Sequence, residues 1–288
     1  MSKLAGSTCL ITGASRGLGA RIARAFWEEG ASLILVARSE AALRDVAAGL
    51  ADRPGQRVEL LTADLSDPTA PERIVSKARE SFDALDVLVN NAAIQGPIGP
   101  SWENDWGQWQ TTVQIDLMAP VAMCRLIVPW MAERRRGKII NLSGGGATGP
   151  RPNFSAYAAS KAALVRFTEI LAAETCDLGI GVNCIAPGAM PTAMLESILA
   201  SGPCLAGQRE YESAVNAGRS GTSTLDRAAD LCVFLASRES DGITGKLISA
   251  VWDPWERLAD HLEDLQSTDV YTLRRIVPED RDLDWGEG

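Results

Sequence analysis

A glycine-rich turn near the start of the chain constrains the fold more than any other feature. Residues 12–19, TGASRGLG, follow the apolar run at residues 8–11 and lead into a segment with helical periodicity. Glycine lets a backbone turn tightly and approach a phosphate, and the free N–H groups at a helix start attract negative charge. Any strand-to-helix turn also uses glycine, but this one opens a βαβ pattern. It therefore predicts a nucleotide cofactor held by Gly13, Ser15, Arg16, Leu18 and Gly19.

Short apolar runs recur along the chain and alternate with segments of helical periodicity. They cover residues 8–11, 33–36, 58–61, 87–89, 138–142, 181–185 and 247–251. Runs this short and continuously apolar suit parallel strands that helices cover on both faces. The pattern predicts an α/β fold, a single-domain Rossmann-type doubly wound parallel sheet of about seven strands. Ligands of such a sheet bind beyond the carboxyl ends of its strands.

Two helical segments are long, at residues 106–133 and 156–176, and both carry apolar residues on more than one face. Another copy of the chain can cover such surfaces. We therefore expect a homo-oligomer, a dimer or tetramer, that forms through these two helices. The alternative is that the sheet alone covers them.

Composition excludes several classes of function. With 288 residues and 46% hydrophobic content the chain can bury a full core, and its net charge of −9 argues against nucleic-acid binding. We find no charged-then-apolar leader and no apolar stretch that we judge long enough to span a bilayer, so we expect no membrane attachment and a cytoplasmic location.

Cysteine and histidine usage argues against metal and disulfide chemistry. The six cysteines are widely spaced and form no C-x-x-C pair, and they are expected to be buried, reduced thiols. His261 is the one histidine of the sequence. A Ser-His-Asp triad or a multi-histidine metal site is thereby excluded, and no metal is expected.

The end of the second predicted strand indicates which dinucleotide binds. NAD-binding folds usually place an acidic residue there, about twenty residues after the glycine turn, to hold the ribose hydroxyls. This chain has Arg38 and Ser39 instead. Together with Arg16, Arg38 can form charged hydrogen bonds with a 2′-phosphate, which favours NADP over NAD. Solvated loop arginines are the alternative. Asp64 and Leu65 follow the third strand, where Asp64 could line the adenine edge or cap the helix that begins near Pro68.

A tyrosine and a lysine, Tyr157 and Lys161, lie four residues apart and hence on one face of the second long helix. A lysine cation beside a phenol stabilises phenolate and lowers the tyrosine pKa toward neutrality. Such a phenol suits proton exchange with an alcohol oxygen.

At this point the sequence resembles the classical short-chain dehydrogenase/reductase family over about residues 5–252. Residues 12–19 resemble the family's cofactor turn, Tyr157 and Lys161 its catalytic pair, and residues 90–93 its Asn-Asn-Ala-Gly segment. Pro187, Gly188 and Thr192 match the segment that holds the nicotinamide carboxamide. The resemblance implies that Tyr157 acts as acid or base and that Lys161 binds the ribose and tunes Tyr157. The further cofactor residues that it implies are Asn91, Ala92, Ala93, Pro187, Gly188, Met190 and Thr192.

Two positions depart from the family pattern. The family's active serine stands thirteen residues before the tyrosine, where this chain has Gly144; Ser143 is one residue early. Because side chains alternate along a strand, Ser143 can serve as an oxyanion donor if the backbone bulges, and is otherwise a buried strand-end hydroxyl. Asp116 replaces the family's asparagine in the first long helix. Its carboxylate would tend to hold Lys161 charged, or it is a salt-bridged residue without a catalytic part.

The chain also continues beyond the usual end of the family. We expect a Rossmann-fold catalytic domain at residues 1–252 and a C-terminal extension at residues 253–288 that covers the cleft, docks on another subunit or hangs loose.

These observations predict an NADP-dependent oxidoreductase that interconverts a secondary alcohol and a ketone. Its small-molecule substrate is expected to be a hydroxylated, sugar-like or polyol-like compound, contacted by Gln95, Arg151, Asn153 and Phe154. Two alternatives stay open. One is a cofactor-binding protein with little or no turnover, and the other is an epimerase or dehydratase that uses the cofactor transiently.

Overall fold

A computed structural model describes residues 2–219 and 223–285 of the chain. Its seven strands are β1 (Thr8–Thr12), β2 (Ser32–Ala37), β3 (Val58–Thr62), β4 (Val87–Asn90), β5 (Gly137–Leu142), β6 (Ile180–Ala186) and β7 (Leu247–Ser249). They form one sheet in the order β3-β2-β1-β4-β5-β6-β7, and every neighbouring pair is parallel. The strand order reverses between β1 and β4, which makes that point the expected ligand crevice. The predicted doubly wound sheet is confirmed.

The main helices of the described residues are α1 (Gly17–Glu28), α2 (Glu40–Ala48), α3 (Ala70–Ser81), α4 (Trp106–Val113), α5 (Ala119–Ala132), α6 (Ser155–Thr175), α7 (Ala193–Ala206), α8 (Gln208–Arg219), α9 (Ser223–Ala236) and α10 (Leu262–Ser267). They cover both faces of the sheet. On β1, Cys9 and Ile11 pack in one core with α1 and α9, whereas Leu10 packs in the other with α3 and α5. Because each face of the sheet packs in its own core, successive positions of a strand are buried and therefore apolar.

The seven predicted strands lie where the apolar runs placed them, with one end clearly wrong. β7 ends at Ser249 rather than at Val251. The Ser249 hydroxyl accepts hydrogen bonds from the backbone N–H groups of Val251 (3.3 Å) and Trp252 (3.1 Å), and Asp253 Oδ2 accepts from Ser249 N (2.6 Å). These polar bonds turn the chain away from the sheet.

The predicted helix at residues 106–133 is not one continuous α-helix. A π-helical turn, Gln114–Met118, separates α4 from α5. Ala119 N donates to Gln114 O in the i→i−5 pattern, and Pro120 has no N–H with which to bond the carbonyl of Asp116. Ile115 and Asp116 of this turn are buried. Such turns occur often at functional sites.

The same segment corrects the expectation that no apolar stretch is long enough to cross a bilayer. Among the described residues, Trp106–Ala132 is long and apolar enough by length and composition, and 50% of its most apolar window is buried inside the protein. A core helix of a soluble protein passes the same test. The helix therefore carries only weak evidence for a membrane.

The C-terminal residues cover one end of the sheet. Leu258 and Leu265 are buried in the core that holds α9, and the Trp255 ring lies 5.7 Å from the ring of Phe234. Tyr271 O accepts a hydrogen bond from Leu247 N on the edge strand β7 (2.8 Å). The extension thus packs on its own domain between Trp255 and Leu273, whereas Leu283 and Trp285 are exposed. Packing along this edge of the sheet is not among the three placements that we predicted. The boundary at residue 252 stays a prediction.

The extension also covers part of α6. Leu273 N donates to Glu169 Oε1 (2.6 Å), and the Arg166 guanidinium bonds Leu273 O. Elsewhere on the long helices, Met118 and Ile170 expose 51% and 49% of their surface. The chain itself therefore covers some of the α6 surface that we assigned to another subunit.

All six cysteines are free, but only four of them are buried. Cys9, Cys124, Cys184 and Cys232 lie in the core, whereas Cys176 and Cys204 are exposed. The expectation of buried thiols is wrong for these two because both lie on the outer face of their segments.

Candidate active site

The glycine turn fits closely against the loop that follows β4. A Cβ atom at Gly13 would lie 2.8 Å from Ala92 Cα, and one at Gly19 would lie 2.3 Å from the carbonyl oxygen of Gly13. Gly13 also has a φ of +66°, which favours glycine. The Asn91 side-chain amide donates to the carbonyls of Thr12 (2.9 Å) and Gly13 (3.2 Å). The two loops therefore meet backbone to backbone, and the N-terminus of α1 faces open space.

That open space is a cleft of about 890 Å³ at the carboxyl ends of the strands. Its volume suits a large organic ligand. The predicted cofactor residues that line it are Gly13, Ser15, Arg16, Leu18, Gly19, Arg38, Ser39, Asp64, Leu65, Asn91, Ala92, Ala93, Tyr157, Lys161, Pro187, Met190 and Thr192. Gly188 does not line it, because a Cβ atom there would face Val251 Cγ2 at 2.7 Å. Met194 and Glu196 of α7 also line it, which the sequence reasoning missed.

Two unpartnered arginines line the cleft. Arg16 and Arg38 are both exposed and line the cavity. Among the described residues, neither guanidinium has an ion-pair or hydrogen-bond partner. Ser39 next to them is the N-cap of α2, where its hydroxyl accepts from Ala42 N (3.3 Å). A pair of unpartnered guanidinium groups can bind a phosphate dianion.

Asp64 lines the cleft but does not cap the following helix. Its Oδ1 accepts from Ser66 N (2.9 Å), which closes a short turn, and α3 begins later, at Ala70. The alternative of a helix N-cap is therefore wrong. The carboxylate is exposed at the edge of the cavity.

Tyr157 and Lys161 lie in the first two turns of α6 and face the cleft together. Both are buried, and Lys161 is only 2% exposed. Lys161 Nζ donates to the carbonyl oxygen of Leu142 (3.0 Å) and lies 5.4 Å from the centroid of the Tyr157 ring. The i, i+4 spacing of the sequence thus brings a phenol and an ammonium to one wall of the cavity.

Burial raises the pKa of Tyr157 above its usual value. The positive charges of Lys161 and Arg151 lower this pKa, as expected for Lys161, but burial outweighs them. The expectation of a near-neutral phenol is therefore wrong for the protein chain alone. Desolvation of the phenolate is the physical reason.

Gly144 lies against the hydroxyl of Tyr157, and Ser143 lines the cleft. A Cβ atom at Gly144 would lie 2.1 Å from Tyr157 Oη. Ser143 N still donates to Ile185 O (2.8 Å), so the hydrogen bonds between β5 and β6 continue past Leu142. The Ser143 hydroxyl is buried and has no hydrogen-bond partner of good geometry among the described residues, although its interaction with the Cys184 thiol lowers the pKa of that thiol. Because the Ser143 residue is buried but also lines the cleft with Tyr157, both of its predicted roles stay open.

Asp116 lies in the π-helical turn and is fully buried. Its Oδ1 accepts from Ile94 N (2.9 Å), and its Oδ2 lies 3.6 Å from Lys161 Nζ. Burial raises the pKa of Asp116 to about 6, although the Lys161 charge and the Ile94 N–H oppose the shift. The carboxylate is therefore in ion-pair contact with the lysine of the catalytic pair.

The four predicted substrate residues lie outside the lining of the cleft. Phe154 is fully buried with Leu195 and Ile198 of α7, and its role as a substrate contact stays a prediction. Asn153 has a φ of +71°, and its carbonyl accepts from Gly99 N (2.9 Å). Gln95 is 8% exposed. The positions of these residues depend on packing against helices that are distant in the sequence, and a local sequence pattern does not reveal such packing.

Arg151 is held by a residue that the sequence reasoning missed. Its Nε and one terminal nitrogen both lie 2.8 Å from Glu210 Oε2 on α8. The guanidinium carbon stands 4.0 Å from the Phe154 ring centroid and 5.8 Å from that of Tyr157. This ion pair joins α8 to the loop before the catalytic helix.

Among the described residues, no cluster of three or more acidic, histidine or cysteine side chains could hold a metal ion. His261 is half exposed and lies near Asp264, with 3.6 Å between Nδ1 and Oδ2.

Comparison with known proteins agrees with this geometry. The family model of short chain dehydrogenases matches residues 7–201. Oxidoreductase UcpA of Salmonella typhimurium is 36% identical over 255 residues, which cover 85% of this chain and 93% of that protein.

Two solved structures share the fold over most of their length. One, from Beutenbergia cavernae, is provisionally described as an NAD(P)-dependent gluconate 5-dehydrogenase with NADP bound at low occupancy. Its TM-score is 0.75 at 29% identity, over 86% of this chain and 96% of that one. The other is levodione reductase, with a TM-score of 0.77 at 27% identity over 89% of this chain and 99% of that one. The chain belongs to the short-chain dehydrogenase family of oxidoreductases.

Proposed function

We propose that this protein is an NADP-dependent oxidoreductase that interconverts a secondary alcohol and a ketone. The observation that carries the proposal is that one cleft contains both the buried Tyr157–Lys161 pair and two unpartnered arginines, Arg16 and Arg38. The first feature suits proton exchange with an alcohol oxygen, and the second suits a 2′-phosphate.

The residues present fit a dinucleotide. Side chains at Gly13 and Gly19 would collide with neighbouring backbone, so their absence lets the turn approach a pyrophosphate at the N-terminus of α1. Arg16, Arg38 and Ser39 would hold the phosphate that distinguishes NADP from NAD. The residues that would hold the nicotinamide half are Asn91, Ala92, Ala93, Pro187, Met190 and Thr192.

When bound, NADPH supplies the hydride, and the protein supplies the proton and the position of the substrate. In the reductive direction the Tyr157 hydroxyl would give its proton to the carbonyl oxygen of the substrate. In the oxidative direction the phenolate takes the alcohol proton. Lys161 stabilises the phenolate by its charge, since it lowers the pKa of Tyr157.

A hydroxylated, sugar-like substrate is our preferred class. The support is that a structural neighbour with 29% identity is described as a gluconate 5-dehydrogenase. The cleft also carries polar groups at its α7 side, including Glu196 and Thr192. We also expect a cytoplasmic homo-oligomer that associates through the exposed faces of the long helices, near Met118 and Ile170.

Turnover across a panel of ketones, keto-sugars and polyols tests this function, with NADPH oxidation and NADP reduction followed for the native protein and for Tyr157→Phe. We expect turnover that the Tyr157→Phe variant loses, with cofactor binding retained. Turnover that survives in the variant would reject the role of Tyr157.

The second candidate is a cofactor-binding protein with little or no turnover. The observation in its favour is Gly144, because the residue that faces Tyr157 offers no hydroxyl to a substrate oxygen. NADPH binding together with silence across the whole panel would support this candidate.

A further inference from the structure

The carboxylate of Asp116 connects three parts of the site. It lies in the π-helical turn, accepts from the backbone N–H of Ile94 (2.9 Å) and faces Lys161 Nζ at 3.6 Å. Ile94 itself lines the cleft, as does Ile115 in the same turn. Asp116 Oδ2 has no hydrogen-bond partner among the described residues, and the charged group that it contacts is the Lys161 ammonium.

The Lys161 ammonium has three N–H donors, and each of them needs an acceptor. One of them bonds the Leu142 carbonyl (3.0 Å), and the contact with Asp116 lies in a second direction. Lys161 also lines the cleft, which leaves a third donor for a ligand there. An ammonium that is 2% exposed needs partners of this kind, because an unpaired buried charge is strongly disfavoured.

We infer, on the basis of the proposed function, that Asp116 is a positioning residue whose carboxylate anchors the Lys161 ammonium beside Tyr157 and acts on the phenol by its negative charge. Asparagine at this position could accept the same Ile94 hydrogen bond, but it would give Lys161 no counter-charge.

Four charged or titratable groups act on Tyr157. Lys161 and Arg151 favour the phenolate, whereas Asp116 and the Cys184 thiol disfavour it. Asp116 is itself ionised above about pH 6, where its own raised pKa lies. Removing its charge while keeping its shape should therefore lower the pKa of Tyr157.

The test uses the protein without substrate, so that it does not depend on turnover. The chain contains three tyrosines, and with ¹³Cζ-labelled tyrosine the Tyr157 resonance can be assigned by comparison with Tyr157→Phe. We expect Asp116→Asn to lower the pKa of Tyr157 by roughly half a unit to one unit, because the charge acts through the buried pair. Asp264→Asn, at an exposed carboxylate beside His261, is the matched control and should leave it unchanged.

An unchanged Tyr157 pKa in folded Asp116→Asn protein would overturn the inference. A raised pKa would reject the direct action of the Asp116 charge on the phenol and show that Lys161 has lost its anchor. If that variant does not fold, Lys161→Met provides the reverse measurement in ¹³Cγ-aspartate-labelled protein. Because Lys161 lowers the pKa of Asp116, the loss of its charge should raise that pKa, and no change would contradict the pairing. If Asp116→Asn shifts the pKa of Tyr157 but the native protein turns over no substrate, the proposed function is rejected and the Asp116–Lys161 pairing stands.

Discussion

The hydroxyl of Tyr157 fills the space that a side chain on Gly144 would need, because a Cβ atom there would lie 2.1 Å from Tyr157 Oη and 2.8 Å from Cζ. We therefore expect Gly144→Ala to displace the phenol. A misplacement of about 1 Å at a reacting group can lower turnover about a hundredfold. NADPH binding should change much less, as measured by fluorescence titration.

Gly149→Ala is the control for this substitution. A methyl group at position 149 would meet open space, with nothing but its chain neighbours within 4 Å, and the position lies in the same loop region. The activity of this variant should therefore stay near native. Restoring a hydroxyl with Gly144→Ser should also impair turnover. Higher turnover in Gly144→Ser would show that Tyr157 moves easily and that the site lacks only a serine.

Ser143→Ala should leave turnover close to native. Gly144 rather than Ser143 lies against the Tyr157 hydroxyl, and the partner of the buried Ser143 hydroxyl among the described residues is the Cys184 thiol, which bonds weakly. Loss of an oxyanion donor instead typically lowers turnover about a hundredfold or more. Steady-state kinetics and thermal unfolding of the same variant separate these outcomes, and a large loss of turnover in a stable protein would restore Ser143 as a donor.

The strands were predictable because each is a continuous apolar run, and in a sheet covered on both faces every position of a strand is buried. The π-helical turn that contains Asp116 was harder to predict. One extra residue in a turn hardly changes the apolar pattern of a long helix, and Pro120 was the available signal. The burial of Phe154 could not be predicted for another reason: its neighbours Leu195 and Ile198 lie about forty residues away in the sequence, beyond any local pattern.

Charge reversal at both arginines, Arg16→Glu with Arg38→Glu, should weaken NADPH binding much more than NADH binding. Each charged hydrogen bond to a phosphate contributes about 1.5 to 3 kcal/mol, so the NADPH dissociation constant should rise at least about tenfold. Isothermal titration with both cofactors measures the difference. Arg257→Glu, at an exposed arginine of the extension, is the control. Equal losses for the two cofactors would remove the argument for the 2′-phosphate.

Glu210→Gln should loosen α8 from the catalytic loop. The Arg151–Glu210 pair is 13% and 28% exposed, so it is screened less than a surface pair. A double-mutant cycle with Arg151→Met should give a coupling of about 1 kcal/mol or more, and amide exchange in α8 should rise. The Arg44–Glu40 pair, 71% and 59% exposed, should show almost no coupling by the same method. Equal couplings for the two pairs would show that Arg151 does not hold α8.

The ionisation of Asp116 should make the protein less stable as pH rises from about 4 to about 6. The pKa of Asp116 is about 6 in the folded chain, against 3.8 for a free aspartate side chain. Between these values the folded state holds a proton that the unfolded state has released, so the free energy of unfolding falls with rising pH and then levels off. The shift corresponds to roughly 3 kcal/mol. In urea unfolding at several pH values, Asp116→Asn should lose this fall, whereas Asp264→Asn should keep it. Parallel curves for native protein and Asp116→Asn would mean that the buried Asp116 carboxyl titrates like an exposed one. The complete burial of Asp116 and the 3.6 Å distance from its Oδ2 to Lys161 Nζ argue against that outcome.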